Sequence, residues 1–196
     1  MGTTQAKTRP VAGGGSAFDA AIGELTSERL AWQAGRGCQA SFAELVRRFA
    51  PRLQAFLRRR TRDRHEAEDI VQDTFLRVYE HLDQYDSSRR FSTWLFTIAA
   101  RAAISHHRRR RVECRSEDLH APACDLAAEE RELRQNLWTT AAQLPEAQRQ
   151  ALWLRYAEEL PIQEIARVMG KSQVCVKVLL YRARVNMAKL LEDREP

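Results

Sequence analysis

The stretch Arg89–Arg111, RRFSTWLFTIAARAAISHHRRRR, decides how the rest of the chain is read. Ser92 or Thr93 is the expected cap of a helix there, and at about 100° per residue Leu95, Ile98, Ala99 and Ala102 gather on one apolar arc that belongs in a core. Beside that arc Trp94, Thr97, Arg101, Ser105 and Arg108 form a second stripe at helical spacing. An indole followed by arginines suits a strand whose bases stack while its phosphates are neutralised. The helix then runs into Arg108, Arg109, Arg110 and Arg111 with no acid among them. Alone, the stripe also fits a packed tryptophan beside a solvated basic face. The other segments decide between the two.

At 196 residues the chain is long enough for one large or two small domains, each with a core of its own. Its net charge of +6 and pI near 9.5 suit a polyanionic partner. Cys38, Cys114, Cys124 and Cys175 are scattered, with no C-x-x-C pair and no histidine at zinc spacing, so free thiols in a reducing compartment are expected and no metal or cofactor is. No apolar run approaches the ~20 residues needed to span a bilayer, and the first twenty residues lack a signal-peptide core. A cytoplasmic protein that does not itself span a membrane is the expectation.

Residues 1–26 read as a flexible tail, with Gly13, Gly14 and Gly15 in a row and a weak amphipathic turn at Phe18, Ile22 and Leu25. After the Gly35 and Gly37 break, Phe42, Leu45, Val46, Phe49, Leu53, Phe56 and Leu57 repeat with helical period, and Pro51 marks an expected bend or restart. From about Glu66 to Leu82, projection gathers Ile70, Val71, Thr74, Phe75, Val78 and Leu82 on one buried arc. The opposite face carries Asp69, Gln72, Asp73, Leu76 and Glu80. A leucine centred in an acidic face fits an interface with a basic protein, although singly exposed leucines are common. Asp83 to Arg90 reads as a polar loop.

From Val112 the charge inverts: Glu113, Glu117, Asp118, Asp125, Glu129 and Glu130 are opposed only by Arg115, which reads as an acidic linker. Helical period returns from Glu129 to Leu144, breaks at Pro145 and resumes from Glu146 to Tyr156. Pro161 opens a short helix with Ile162, Ile165, Ala166 and Met169 inward; Gly170 ends it and Ser172 caps the next. Helix, glycine turn and helix is the helix-turn-helix arrangement. On the last helix Val176, Leu179, Leu180, Ala183, Met187 and Leu190 form the packed back. Gln173, Lys177, Tyr181 and Arg184 point the other way with Arg182 and Lys189 beside them, and no acid lies between Lys171 and Lys189. A major groove needs such a front. The expected fold is therefore all-α: two small helical domains, an amino-terminal bundle over 27–111 and a helix-turn-helix domain over 129–196, joined by a flexible acidic linker at 112–128.

In order along the chain, HEAEDIVQDTFLRVYEHLDQYD, FSTWLFTIAARAAISHHRRRR and LPEAQRQALWLRYAEELPIQEIARVMGKSQVCVKVLLYRAR resemble the polymerase-clamp, minus-ten melting and minus-thirty-five segments of bacterial sigma factors of the extracytoplasmic-function group, within the sigma-seventy family. The resemblance covers about Ser27 to Leu191. It implies a transcription initiation factor, not an enzyme, whose partners are core RNA polymerase, promoter DNA and an anti-sigma factor, with no small-molecule substrate. Asp69, Gln72, Asp73, Phe75 and Arg77 match the polymerase-binding pattern, which Leu76 joins from the projection. The loop from Tyr85 to Phe91, with Arg89, corresponds to the base-capturing loop, and Trp94, Thr97, Arg101, Ser105, Arg108 and Arg109 to the melting surface. Ser172, Gln173, Lys177, Tyr181, Arg182 and Arg184 correspond to the minus-thirty-five reader. The chain departs from the pattern at Ala100, Arg101 and Ser105, and at Cys175, Val178 and Leu179 on the last helix, where fewer polar tips face outward.

Two rivals share parts of this reading. A stand-alone helix-turn-helix repressor or activator explains the last helix but gives no reason for the acidic face around Asp69. A nuclease or recombinase needs converging carboxylates, and the acids of Glu66 to Asp73 run along one helix without a second set.

Overall fold

The computed structural model describes residues 22–58, 61, 64–106 and 137–192, and the backbone alone of 107–110. The tail before residue 22, Arg111 and the expected acidic linker at 112–128 lie outside the described residues, as do the side chains of Arg108 and Arg109. Everything described is helix or connection.

Helix α1 spans Ser27–Ala34, with the Thr26 hydroxyl accepting from the Arg29 amide at 3.3 Å. Gly37, at φ 90°, turns the chain into α2, Gln39–Arg58. Pro51 does not restart α2: one continuous helix runs through it. Pro51 is exposed, so water can serve the carbonyl it leaves unpaired, while Phe49, Leu53, Phe56 and Leu57 hold the helix by full burial. The end of the expected tail is anchored. Ile22 is buried, and Arg48 donates to the carbonyls of Gly23 and Leu25 at 2.6 and 2.7 Å while pairing with Glu44 at 2.6 Å.

Helix α3, Arg64–Glu80, buries Ile70, Thr74, Phe75 and Val78 as projected, Val71 only in part, and a 3-10 turn at Leu82–Gln84 follows. Helix α4, Phe91–Arg110, lies across α1, α2 and α3. Its cap is not Ser92 or Thr93. The Phe91 amide donates to the Glu28 carboxylate of α1 at 3.1 Å, a partner distant in sequence that satisfies an end amide and puts an anion at the positive end of the helix.

In the carboxyl-terminal half, α5 covers Glu146–Leu152 and passes into a π-helical turn, Trp153–Ala157. Glu159 takes a positive φ of 53°, turning the chain so that the Leu160 amide reaches the Leu154 carbonyl at 2.9 Å. Helix α6 is Ile162–Met169, with Ile165, Ala166 and Val168 inward and Ile162 and Met169 only half-buried. Gly170, left-handed at φ 61°, ends it, and α7 runs over Gln173–Glu192 with the Ser172 hydroxyl accepting from the Cys175 amide at 3.2 Å.

The two halves are not separate in space. The buried apolar cluster is continuous from Leu30 of α1 to Ala183 of α7, and α4 packs on α6. Thr93 therefore serves another purpose than capping: it is buried and its hydroxyl donates to the Glu164 carboxylate of α6. Arg52 of α2 pairs with Glu158 at 2.5 Å, the carboxylate almost wholly buried. Thr93, Phe96 and Ala100 are buried along one side of α4, and alanine at position 100 keeps that side low enough for a helix to approach.

Candidate functional site

Three faces carry the residues singled out by sequence. On α3, Asp69 and Gln72 are exposed, Asp73 and Arg77 are partly exposed and paired at 3.0 Å, and Leu76 stands 63% exposed among them. Tyr79, exposed one turn further and packed edge-on against Phe42 at 5.0 Å, extends this apolar centre; the sequence reading passed over it because it lies at the margin of the projected arc. Phe75 is a correction. It is buried beside Phe42, ring centroids 6.5 Å apart, and so supports the face from behind instead of touching a partner.

The second face joins the 82–91 loop to α4. Phe91 is also a correction to the expected DNA contacts: it is fully buried, with Phe49 at 5.2 Å, Tyr85 at 5.6 Å and Trp94 at 5.9 Å. It is the peg that fixes the loop. Tyr85, at the start of the expected base-capturing loop, stacks obliquely on Trp94 at 5.1 Å, and its hydroxyl donates to the Arg89 carbonyl at 2.5 Å. Burial, with the nearby Glu28 and Asp86 charges, pushes its phenol well above the usual range, so it stays a neutral donor. Arg89 is exposed and pairs with Asp86 at 3.2 Å; the Asp86 carboxyl, also accepting from Ser88, is held below its usual range.

Along α4 the second stripe reads half-buried Trp94, half-buried Thr97, exposed Arg101 and half-buried Ser105. The Thr97 hydroxyl donates to the Thr93 carbonyl at 2.7 Å, one turn back along its own helix. Arg101 forms no ion pair among the described residues. Ile104, 61% exposed beside it, is a further apolar tip that the sequence reading did not single out.

The third face is α7. Ser172 is occupied as the cap, so its hydroxyl positions the helix instead of reaching outward. Gln173, Lys177, Tyr181, Arg182 and Arg184 are all exposed, with Val176, Leu180 and Ala183 buried behind them. Among the described residues no cluster of three or more histidine, cysteine or acidic side chains could hold a metal ion, and no helix is long and apolar enough to cross a membrane.

These faces fall inside two family matches. Residues 45–113 match Sigma-70 region 2, and residues 134–187 match Sigma-70, region 4. The chain is 33% identical over 152 residues to the ECF RNA polymerase sigma factor SigM of Bacillus subtilis, covering 75% of this chain and 93% of that one. It is 34% identical over 163 residues to the RNA polymerase sigma factor CarQ of Myxococcus xanthus, covering 81% and 94%. Among solved structures it is similar to CnrH in complex with the cytosolic domain of CnrY, at a TM-score of 0.63 and 27% identity over 86% of this chain and 99% of that one. The chain belongs to the sigma-70 family, in its extracytoplasmic-function group.

Proposed function

We propose that this chain is a transcription initiation factor that binds core RNA polymerase through the α3 face and brings it to promoters through the α4 and α7 faces. The observation that carries the reading is the pairing of region 2 and region 4 matches with an exposed Leu76 among Asp69, Gln72 and Asp73. An acidic surface with an apolar centre suits a basic protein partner, and a stand-alone repressor has no use for it. The role is one of specificity, not catalysis, exercised in the cytoplasm where the polymerase works. An anti-sigma factor that covers Leu76 and the outward side of α7 is the expected inhibitor.

The division of labour follows from the chemistry. Helix α7 presents cations and base-reaching tips to duplex DNA, and α4 presents Trp94 and Arg101 to an opened strand. Unstacking costs a few kcal/mol per step. An aromatic platform returns about 1–3 kcal/mol per base, so capture at Trp94 offsets much of the cost of opening without ATP. Binding of fluorescently labelled chain to core polymerase tests the α3 assignment. Leu76→Ala with Asp69→Ala is expected to weaken it at least tenfold with helicity unchanged; wild-type affinity would remove α3 from the interface.

A further inference from the structure

The outward side of α7 is not uniformly polar. Val174 is 70% exposed, Val178 42%, Tyr181 63% and Val185 37%, all on one helix. At about 100° per residue these four fall within a narrow stripe, spaced i, i+4, i+7 and i+11. Lys177 and Arg184 lie along one side of that stripe, Arg182 and Lys189 along the other, all exposed, and none pairs with a carboxylate among the described residues. Four apolar side chains in a row are more than the single exposed hydrophobics of an ordinary surface. The docking of α6 on α4 leaves them uncovered.

We infer that the thymine methyl groups of the promoter element under α7 are read by Val174 and Val178, so that this element is specified by apolar contact more than by hydrogen bonds. The inference rests on the initiation-factor reading and names the substrate chemistry of its duplex-binding face. The charge pattern selects the occupant. A helix of about 10–12 Å diameter fills a major groove about 12 Å wide, which puts its midline against base edges and its two flanks against the phosphates of the two strands. Cations on both flanks and no acid between Lys171 and Lys189 match that cross-section. On the midline, hydrocarbon meets the one hydrocarbon group a base pair shows in the major groove, the thymine methyl. Position matters too. Val174 lies in the first turn of α7, the end that reaches base edges in helix-turn-helix proteins, and Val178 follows one turn later. Their separation of roughly 6 Å along the axis corresponds to about two base-pair steps.

Deoxyuridine in place of thymidine removes that methyl and nothing else, which makes the test direct. Duplexes are selected from a random pool by holoenzyme assembled from the full chain and core polymerase, then resynthesised with deoxyuridine at each thymidine of the upstream element. The expected result is two thymines within about two steps of each other, each losing about fourfold in affinity on substitution, the weight of one buried methyl group. In the Val174→Ala, Val178→Ala double variant that discrimination should vanish, while affinity for the deoxyuridine duplex stays within about twofold, since neither side chain supports the core. Equal binding of the two duplexes by the unaltered holoenzyme would overturn the inference and leave the stripe to a protein partner, as would discrimination that persists in the double variant. Lys177→Ala with Arg184→Ala tests the underlying reading separately: if every duplex binds as before, α7 is not on DNA at all.

Discussion

The α4 and α7 faces both present cations beside apolar groups, yet they are built in opposite ways. On α4 the working side chains are braced: Trp94 leans on Tyr85 and Phe91, Phe91 is locked by Phe49, and the helix end is pinned by Glu28. On α7 nothing among the described residues braces the front; Val174, Lys177, Tyr181 and Arg184 stand in solvent on a helix buried along its back. The difference suits the two substrates proposed for these faces. An opened strand has no shape of its own, so the protein must supply a rigid platform. A duplex is already ordered, and a plain cylinder with the right chemistry along its front can lie in its groove.

The largest effect should come from breaking the brace. Phe91→Ala removes a fully buried ring and should cost about 3–5 kcal/mol in urea or guanidinium unfolding, with promoter opening lost alongside. No exposed α7 residue should approach that cost. Trp94→Ala comes next: holoenzyme binding to fork-junction DNA should fall by about 1–3 kcal/mol while binding to closed duplex changes little. Equal losses on both DNAs would mean that Trp94 supports the fold and captures no base. Lys177→Ala should weaken duplex binding across sequences and lower the slope of log affinity against log salt by about one unit, the signature of a phosphate contact.

The smallest effect concerns the seam between the halves. Burial raises the Glu158 carboxyl above its usual range despite Arg52, so the packed seam binds a proton more tightly than separated halves do. Its packing should therefore tighten as pH falls through the range between the ordinary glutamate value and the raised one, read by energy transfer between dyes on α2 and α6. Glu158→Gln should flatten that dependence. Glu44 provides a contrast of opposite sign. Arg47 and Arg48 hold its carboxyl down at about 2, so what it contributes to stability is present above the unfolded glutamate value and is lost as pH falls toward 2.

Periodic features of this chain could be read from sequence. Leu95, Ala99 and Ala102 on α4, the Leu76 face on α3, the Gly170 turn and the Ser172 cap all depend on residues close in the chain, and the structure has them where spacing put them. Contacts made at a distance could not be read. Glu28 capping α4, Thr93 bonded to Glu164 and Arg52 paired with Glu158 join residues 63, 71 and 106 positions apart, and no local pattern signals them. Phe75 and Phe91 show the same limit in reverse. Each sits within a motif matched by resemblance, but helical projection already placed Phe75 inward, and Phe91 is the first residue of a helix whose inward direction is set by Phe49 and Tyr85. On α7 the sequence marks Val178 only as a departure from a polar position, and burial behind the helix shows which valines remain outside.

Promoter choice is what this chain should confer on a core polymerase that lacks it. Purified chain mixed with core RNA polymerase and a pool of genomic promoter fragments from the same bacterium should yield discrete run-off transcripts, absent with either component alone and lost with Leu76→Ala, Asp69→Ala. Tight, sequence-selective DNA binding by the chain by itself, with no transcript when polymerase is added, would contradict it.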